Sequence, residues 1–128
     1  MKFLVDTSVL IDHLRGDSRS VALLARLAQA GEELWSVTPV RTEILAGMRK
    51  GERSATLALL DSLRWLDITV EVADRAGALA ARYLASHRNI DTVDYLIAAG
   101  AALLDARLLT QNVRHFPMLK GLQAAYSL

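Results

Sequence analysis

Three acidic residues of this sequence lie where a surface carboxylate is not expected. Asp6 directly follows a run of apolar residues, Glu43 has small and apolar neighbours at helical spacing, and Asp94 lies in an apolar helical segment. Burying an ionised carboxylate is destabilising unless a positive charge or hydrogen-bond donors meet it. A hard divalent cation would meet all three at once, and oxygen ligands without nearby Cys or His favour Mg²⁺ or Mn²⁺ over Zn²⁺. These residues therefore predict a site for a divalent cation.

A structural explanation of the same residues needs no shared site. Asp6 and Asp94 could each cap a helix, while Glu43 could pair with Arg41 or another arginine. For any one residue this explanation is the simpler one. For all three inward-facing acids together we favour convergence on a cation, which would remove a repulsion of about 4 kcal/mol between two charges ~4 Å apart.

Short apolar strands alternate with helices along the chain and would carry these acids. Strands are predicted over residues 1–6, 34–37, 66–68 and 107–110, and helices over 9–15, 18–30, 38–47, 54–63, 72–87 and 92–106. Ser8 is the predicted N-cap of the first helix, and Pro39 marks the start of the third. This alternation predicts an α/β fold in which a parallel sheet has helices on both faces and ligands bind at the carboxyl ends of the strands. Asp6 and Asn112 both follow predicted strands, at that edge.

Composition narrows the class of protein. A length of 128 residues predicts a single domain over residues 1–128, and the absence of cysteine excludes disulfides and thiolate metal sites. The longest apolar run, residues 95–104, is too short to span a membrane, and no export signal is recognisable, so we expect a cytoplasmic protein. A net charge of +1 predicts no strong bulk attraction to nucleic acid. The hydrophobic content of 52% suggests that another chain covers part of the surface, although an Ala- and Leu-rich core explains it equally well.

Four segments of the sequence, in this order, resemble the PIN-domain family and, more closely, the VapC-type toxins of bacterial toxin–antitoxin pairs. They are VDTSVLID, TEILAG, VDYLIAAGA and LLTQNVRHF, and the match spans Asp6 to Phe116. The resemblance implies a three-layer α/β/α fold with a short, mostly parallel sheet. It also implies a metal-dependent endoribonuclease that hydrolyses RNA with a metal-activated water.

The resemblance assigns roles to particular residues of this chain. The implied catalytic residues and metal ligands are Asp6, Glu43 and Asp94, with Ser8, Thr110 and Asn112 as supporting residues. Many relatives carry Asp at the position of Asn112, whose neutral amide can hold a metal-bound water but adds no charge. We therefore expect one tightly held Mg²⁺ or Mn²⁺, with a second arriving with the substrate phosphate.

Basic residues near the acidic segments are candidate contacts for RNA. They are Arg41, Arg49, Lys50, Arg88 and Arg114. Each is also explained as a solvated surface charge. His115, near a position where relatives often carry an acid, has the same two explanations.

The resemblance also implies partners. A small VapB-like antitoxin would cover a hydrophobic groove with its C-terminal segment and inhibit the site, and the toxin would form a homodimer. The candidate groove residues are Trp35, Leu57, Leu60 and Trp65, which could equally belong to the core.

Two other functions compete with a nuclease. A PIN-like binding module with weak or no nuclease activity, acting in an antitoxin–DNA repressor complex, is favoured slightly by Asn112 and disfavoured by the intact set of three acids. A phosphotransferase that uses Asp6 as its nucleophile would need a second Asp two residues later, where this chain has Ser8.

Overall fold

The chain folds around a four-stranded parallel sheet, and the computed structural model describes residues 1–127. The strands are β1 (Lys2–Val5), β2 (Glu33–Val37), β3 (Arg64–Leu66) and β4 (Arg107–Leu109). The helices are α1 (Thr7–Leu14), α2 (Ser18–Gln29), α3 (Thr38–Ala46), α4 (Arg53–Asp61), α5 (Val70–Tyr83) and α6 (Thr92–Leu104), and a short 3₁₀ turn covers Val113–His115. No helix within this range is long and apolar enough to cross a membrane.

The strand order places β1 at the centre of the sheet. The order is β3-β2-β1-β4 with every pair parallel, so Leu4 of β1 lies between Trp35 and Leu108. Leu4 and Val5 are fully buried, which explains why this strand is apolar up to its last residue. All four carboxyl ends lie at one edge, which confirms the parallel sheet predicted from the sequence.

Helices cover both faces of this sheet. Leu34 of β2 faces a groove lined by α2 and α4, whereas Val37, three residues later and on the opposite face, lies against α6. A Cβ atom at Gly100 would lie only 2.8 Å from Cγ1 of Val37, so glycine lets α6 approach the sheet closely. This close packing fixes the position of the first turn of α6, which carries Asp94. The three-layer α/β/α architecture is confirmed.

Several predicted boundaries are wrong for identifiable reasons. The first helix begins at Thr7, and its N-cap is Asp6, not Ser8. The third strand was predicted over residues 66–68 but ends at Leu66, because its partner β2 ends at Val37, where α3 begins. Helix α5 begins two residues earlier than predicted, where the Thr69 hydroxyl caps it, and ends at Tyr83.

Candidate active site

Asp6 stands at the carboxyl end of the central strand and is held by three donors. Its Oδ1 accepts a hydrogen bond from the Thr7 N–H at 2.8 Å. Its Oδ2 accepts from the hydroxyls of Thr110 at 2.6 Å and Ser8 at 3.0 Å. Because the residue is only 4% exposed, these bonds to a carboxylate are strong and fix its orientation. The prediction that Asp6 is buried at the edge of the sheet is confirmed.

The loop after β4 supplies part of this hydrogen-bond network. Thr110 is fully buried, and its Oγ1 also accepts the Asn112 N–H at 2.9 Å. The Gln111 N–H donates to the Ser8 hydroxyl at 3.0 Å. The supporting positions expected for Ser8 and Thr110 are therefore in contact with Asp6, while Asn112 is exposed in the same loop.

Asp94 lies in the first turn of α6 and is 8% exposed. Its Oδ2 accepts the Asp91 N–H at 3.2 Å and lies 3.3 Å from Nδ1 of His115. Burial raises the pKa of Asp94 to about 6, and the charges of Asp91 and Asp6 also raise it. The hydrogen bond from the Asp91 N–H and the interaction with His115 lower this pKa, but they do not outweigh burial. The structure thus brings Asp94 close enough to Asp6 for the two carboxylates to repel.

Glu43 does not face inward as predicted. The residue is exposed, because the buried face of α3 is formed by Val40 and Ile44. Its Oε1 accepts a hydrogen bond from the Thr7 hydroxyl at 2.9 Å, which places it at the rim of the site. No ion pair within residues 1–127 includes Glu43, and Arg41 instead stacks over the ring of Trp65.

The local roles proposed in the structural explanation also occur. Asp6 caps α1, and Asp94 forms a capping box with Asp91. Thr7 connects Asp6, through its N–H, with Glu43, through its hydroxyl. Asp6 and Asp94 therefore serve as helix caps and also interact with each other through their charges.

The donor set fits a hard divalent cation, although the side chains are not arranged around one. Across residues 1–127, no three His, Cys, Asp or Glu side chains are placed so as to hold one metal ion. Instead, hydroxyl and amide donors occupy the oxygens of Asp6, and Thr7 holds Glu43. The ligands are all oxygens, and the charge on Asp94 is opposed by the neighbouring charge on Asp6, which a cation would neutralise. The convergence of all three acids on one ion stays a prediction.

Two contacts at the site were not predicted. The contact of the Thr7 hydroxyl with Glu43 is the first, and the only signal for it in the sequence was a hydroxyl residue directly after the strand-end Asp6. His115 was an open alternative, and the 3₁₀ turn that follows the loop places it on Asp94.

The candidate RNA contacts differ in their surroundings. Arg49, Lys50, Arg88 and Arg114 are exposed, whereas Arg41 is half-buried under its contact with Trp65. Arg114 directly precedes His115, whose Nδ1 lies 3.3 Å from Asp94. A role in RNA binding stays a prediction for all of them.

Comparison with known proteins gives consistent results over nearly the whole chain. The family model for the PIN domain matches residues 3–120. The Mycobacterium tuberculosis protein Ribonuclease VapC19 is 50% identical over 123 residues, covering 96% of this chain and 98% of that protein. Ribonuclease VapC10 of the same species is 41% identical over 124 residues, covering 97% of this chain and 92% of that protein.

Solved structures agree with the fold. VapBC2 from Rickettsia felis, crystallised with a DNA fragment from its promoter, matches with a TM-score of 0.78 at 20% identity and covers 97% of both chains. A toxin–antitoxin complex from Klebsiella pneumoniae matches with a TM-score of 0.77 at 23% identity and covers 98% of both chains. At these identities the likeness establishes the fold. Together with the family model and the Mycobacterium relatives, it shows that this chain belongs to the PIN-domain family and, within it, to the VapC proteins.

Proposed function

We propose that this chain is a metal-dependent endoribonuclease that acts as the toxin of a VapBC-type pair. The observation that carries the proposal is the pair of buried carboxylates, Asp6 at the carboxyl end of the central strand and Asp94, whose charges interact. Two relatives called ribonucleases, at 50% and 41% identity over almost their full lengths, support the same activity.

The residues that would hold the cation are Asp6, Glu43 and Asp94, with Asn112 acting through a water. We propose Mg²⁺ as the ion, with Mn²⁺ as a substitute, because all of these ligands are oxygens. When bound, the ion supplies Lewis-acid stabilisation of charge on the attacked phosphate and lowers the pKa of water. The hydroxyls of Ser8 and Thr110 would fix the orientation of the Asp6 carboxylate in such a site.

Asp94 is the proposed proton acceptor. Both oxygens of Asp6 already accept hydrogen bonds, whereas Oδ1 of Asp94 accepts none from any residue between 1 and 127. This oxygen is therefore free to take the proton of the attacking water. The water oxygen bonds to phosphorus as the bond to the 3′ oxygen breaks, which leaves a 5′-phosphate and, after protonation, a 3′-hydroxyl.

An apolar groove of about 500 Å³ between α2 and α4 is the proposed site for the antitoxin segment. Its lining includes Val21, Leu24, Ala25, Ala28, Ala58 and Leu63. The groove residues expected from the sequence do not line it. Leu60 is fully buried, and the indole N–H groups of Trp35 and Trp65 bond to Glu33 and to the Leu60 carbonyl. Both indole N–H groups therefore have partners within the chain.

Three expectations from the sequence remain part of the proposal. The chain would form one domain over residues 1–128, act in the cytoplasm and form a homodimer. The competing function, a binding module with weak or no nuclease activity, is favoured by the neutral side chain of Asn112, which adds no charge at the exposed side of the site.

The proposal is tested by RNA cleavage with purified protein that is shown to be folded and free of any small partner. Reactions contain Mg²⁺, Mn²⁺ or EDTA, and Asp6→Ala serves as the inactive control. We expect cleavage with either ion and none with EDTA or in the variant. No cleavage of pooled tRNA, rRNA and mRNA with either ion would favour the binding module.

A further inference from the structure

We infer that Gln111 is a positioning residue through which the C-terminal segment holds the hydrogen-bond donors of Asp6. We call residues Ala125, Tyr126 and Ser127 the C-terminal strap. For its effect on cleavage the inference rests on the proposed function, whereas its structural part stands independently.

Three hydrogen bonds join the strap to the loop that follows β4. The Ala125 N–H donates to the Thr110 carbonyl at 3.0 Å. The Gln111 side chain then binds both backbone groups of Tyr126. Its Nε2 donates to the Tyr126 carbonyl at 3.1 Å, and its Oε1 accepts the Tyr126 N–H at 3.3 Å. The Gln111 amide thus bonds to both the N–H and the C=O of one residue, as a residue of one strand does with its hydrogen-bonded partner in an antiparallel pair.

The strap is itself anchored on α1 and α2. The Tyr126 hydroxyl donates to the carboxylate of Asp12. The Arg19 guanidinium lies 5.2 Å from the centre of the Tyr126 ring and donates to the Ser127 carbonyl. Arg19 is in turn paired with Asp17 at 2.7 Å. The strap is therefore attached to the helices at one end and to the loop at the other.

The loop transmits this attachment to Asp6. The Gln111 N–H holds the Ser8 hydroxyl, and Thr110 directly precedes Gln111. The hydroxyls of Ser8 and Thr110 are the donors to Oδ2 of Asp6. If the Gln111 side chain loses its bonds to the strap, only the Ala125 N–H still holds the loop, so both donors become more mobile and the carboxylate is oriented less firmly. Loss of such supporting contacts to a metal ligand typically lowers metal affinity or activity by about 10- to 100-fold.

The test compares three variants of the full chain. Gln111→Leu removes both side-chain bonds to the strap, and Gln111→Glu keeps the acceptor for the Tyr126 N–H. Gln123→Leu is the matched control, because Gln123 is an exposed glutamine in the same terminal region whose side chain makes no hydrogen bond within residues 1–127. Two readouts are needed: amide hydrogen exchange at residues 111 and 112, and kcat and KM for RNA.

In Gln111→Leu we expect exchange at these two amides to rise at least about tenfold and kcat to fall by about 10- to 100-fold, with KM and the melting temperature near those of the wild type. The exchange rates and kcat of Gln111→Glu should lie between those of Gln111→Leu and the wild type. Gln123→Leu should match the wild type in both. Wild-type exchange in Gln111→Leu would overturn the inference, even if the wild type does not cleave RNA. Wild-type kcat in Gln111→Leu would overturn it as well.

A second variant keeps the test decisive if Gln111→Leu does not fold. Tyr126→Phe removes the phenol hydroxyl, and with it the bond to Asp12, without changing a residue of the loop. The loss of one net hydrogen bond should speed exchange at residues 111 and 112 by about two- to tenfold. Unchanged exchange at residues 111 and 112 in this variant would contradict the inference that the strap holds the loop.

Discussion

Replacing Asp94 by Asn should lower RNA cleavage by at least about 100-fold, because the proposed metal ligand and proton acceptor would be lost and a bound ion supplies several kcal/mol of transition-state stabilisation. The same change raises the stability of the metal-free protein at neutral pH. The Asn side chain still accepts the Asp91 N–H, so the helix cap survives, while a buried charge near Asp6 disappears. A less active but more stable variant is the expected result.

The stability difference depends on pH in a defined direction. Burial and neighbouring carboxylates raise the pKa of Asp94 from 3.8 to about 6, so the folded state binds this proton more tightly than the unfolded state. The stabilising contribution of the protonated carboxyl is complete below the lower pKa and is lost as the pH rises through the higher one. The advantage of Asp94→Asn should therefore grow from near zero at about pH 4 to the order of 1–3 kcal/mol above about pH 7.

Denaturant unfolding in EDTA across this pH range measures the difference. Asp74→Asn is the matched control, because Asp74 is an exposed aspartate on α5. The control should show no comparable gain. An Asp94→Asn protein that is less stable than the wild type at neutral pH, or one that cleaves RNA at the wild-type rate, would contradict the account of this residue.

Replacing Ala58 by Arg should weaken antitoxin binding by about 100-fold or more while cleavage is retained. Ala58 is exposed on α4 and lines the apolar groove. An arginine side chain there would occupy the space of the bound segment, and its guanidinium would lose water when the segment binds. A penalty of about 3 kcal/mol at the centre of an interface corresponds to that loss of affinity.

The measurement is a titration of each toxin variant with its antitoxin, together with RNA cleavage by the free toxin. Ala78→Arg on α5 is the control, since Ala78 is also exposed but lies outside the groove. Wild-type affinity in Ala58→Arg would show that the antitoxin binds elsewhere. Loss of cleavage in the free variant would mean that the substitution disturbs the fold.

The sequence predicted the parts of the site that depend on local pattern. Asp6 ends an apolar strand and Asp94 lies in an apolar helix, and both are buried as expected. Glu43 was wrongly predicted to face inward because its neighbours Ala46 and Gly47 are small. Such residues carry little information about burial, and both are exposed.

The rest of the site depends on contacts between distant parts of the chain. The Thr110 hydroxyl contacts Asp6 and Ser8 across about a hundred residues of sequence, and these contacts follow from the pairing of β1 with β4. The weakly patterned tail gave no sign that Tyr126 would bind Gln111, because neither residue belongs to a periodic element. Gln111 binds the backbone N–H and carbonyl of Tyr126, and every residue type except proline offers these same groups.

The central claim is that Asp6, Glu43 and Asp94 bind one divalent cation, and anomalous diffraction from crystals grown with Mn²⁺ tests it most directly. The account predicts an anomalous peak within bonding distance of the Asp6 and Asp94 carboxylates. The Glu43 side chain should have moved from Thr7 toward the ion. Mn²⁺ bound elsewhere, with Glu43 still on Thr7 and no peak at the carboxyl edge of the sheet, would contradict the account.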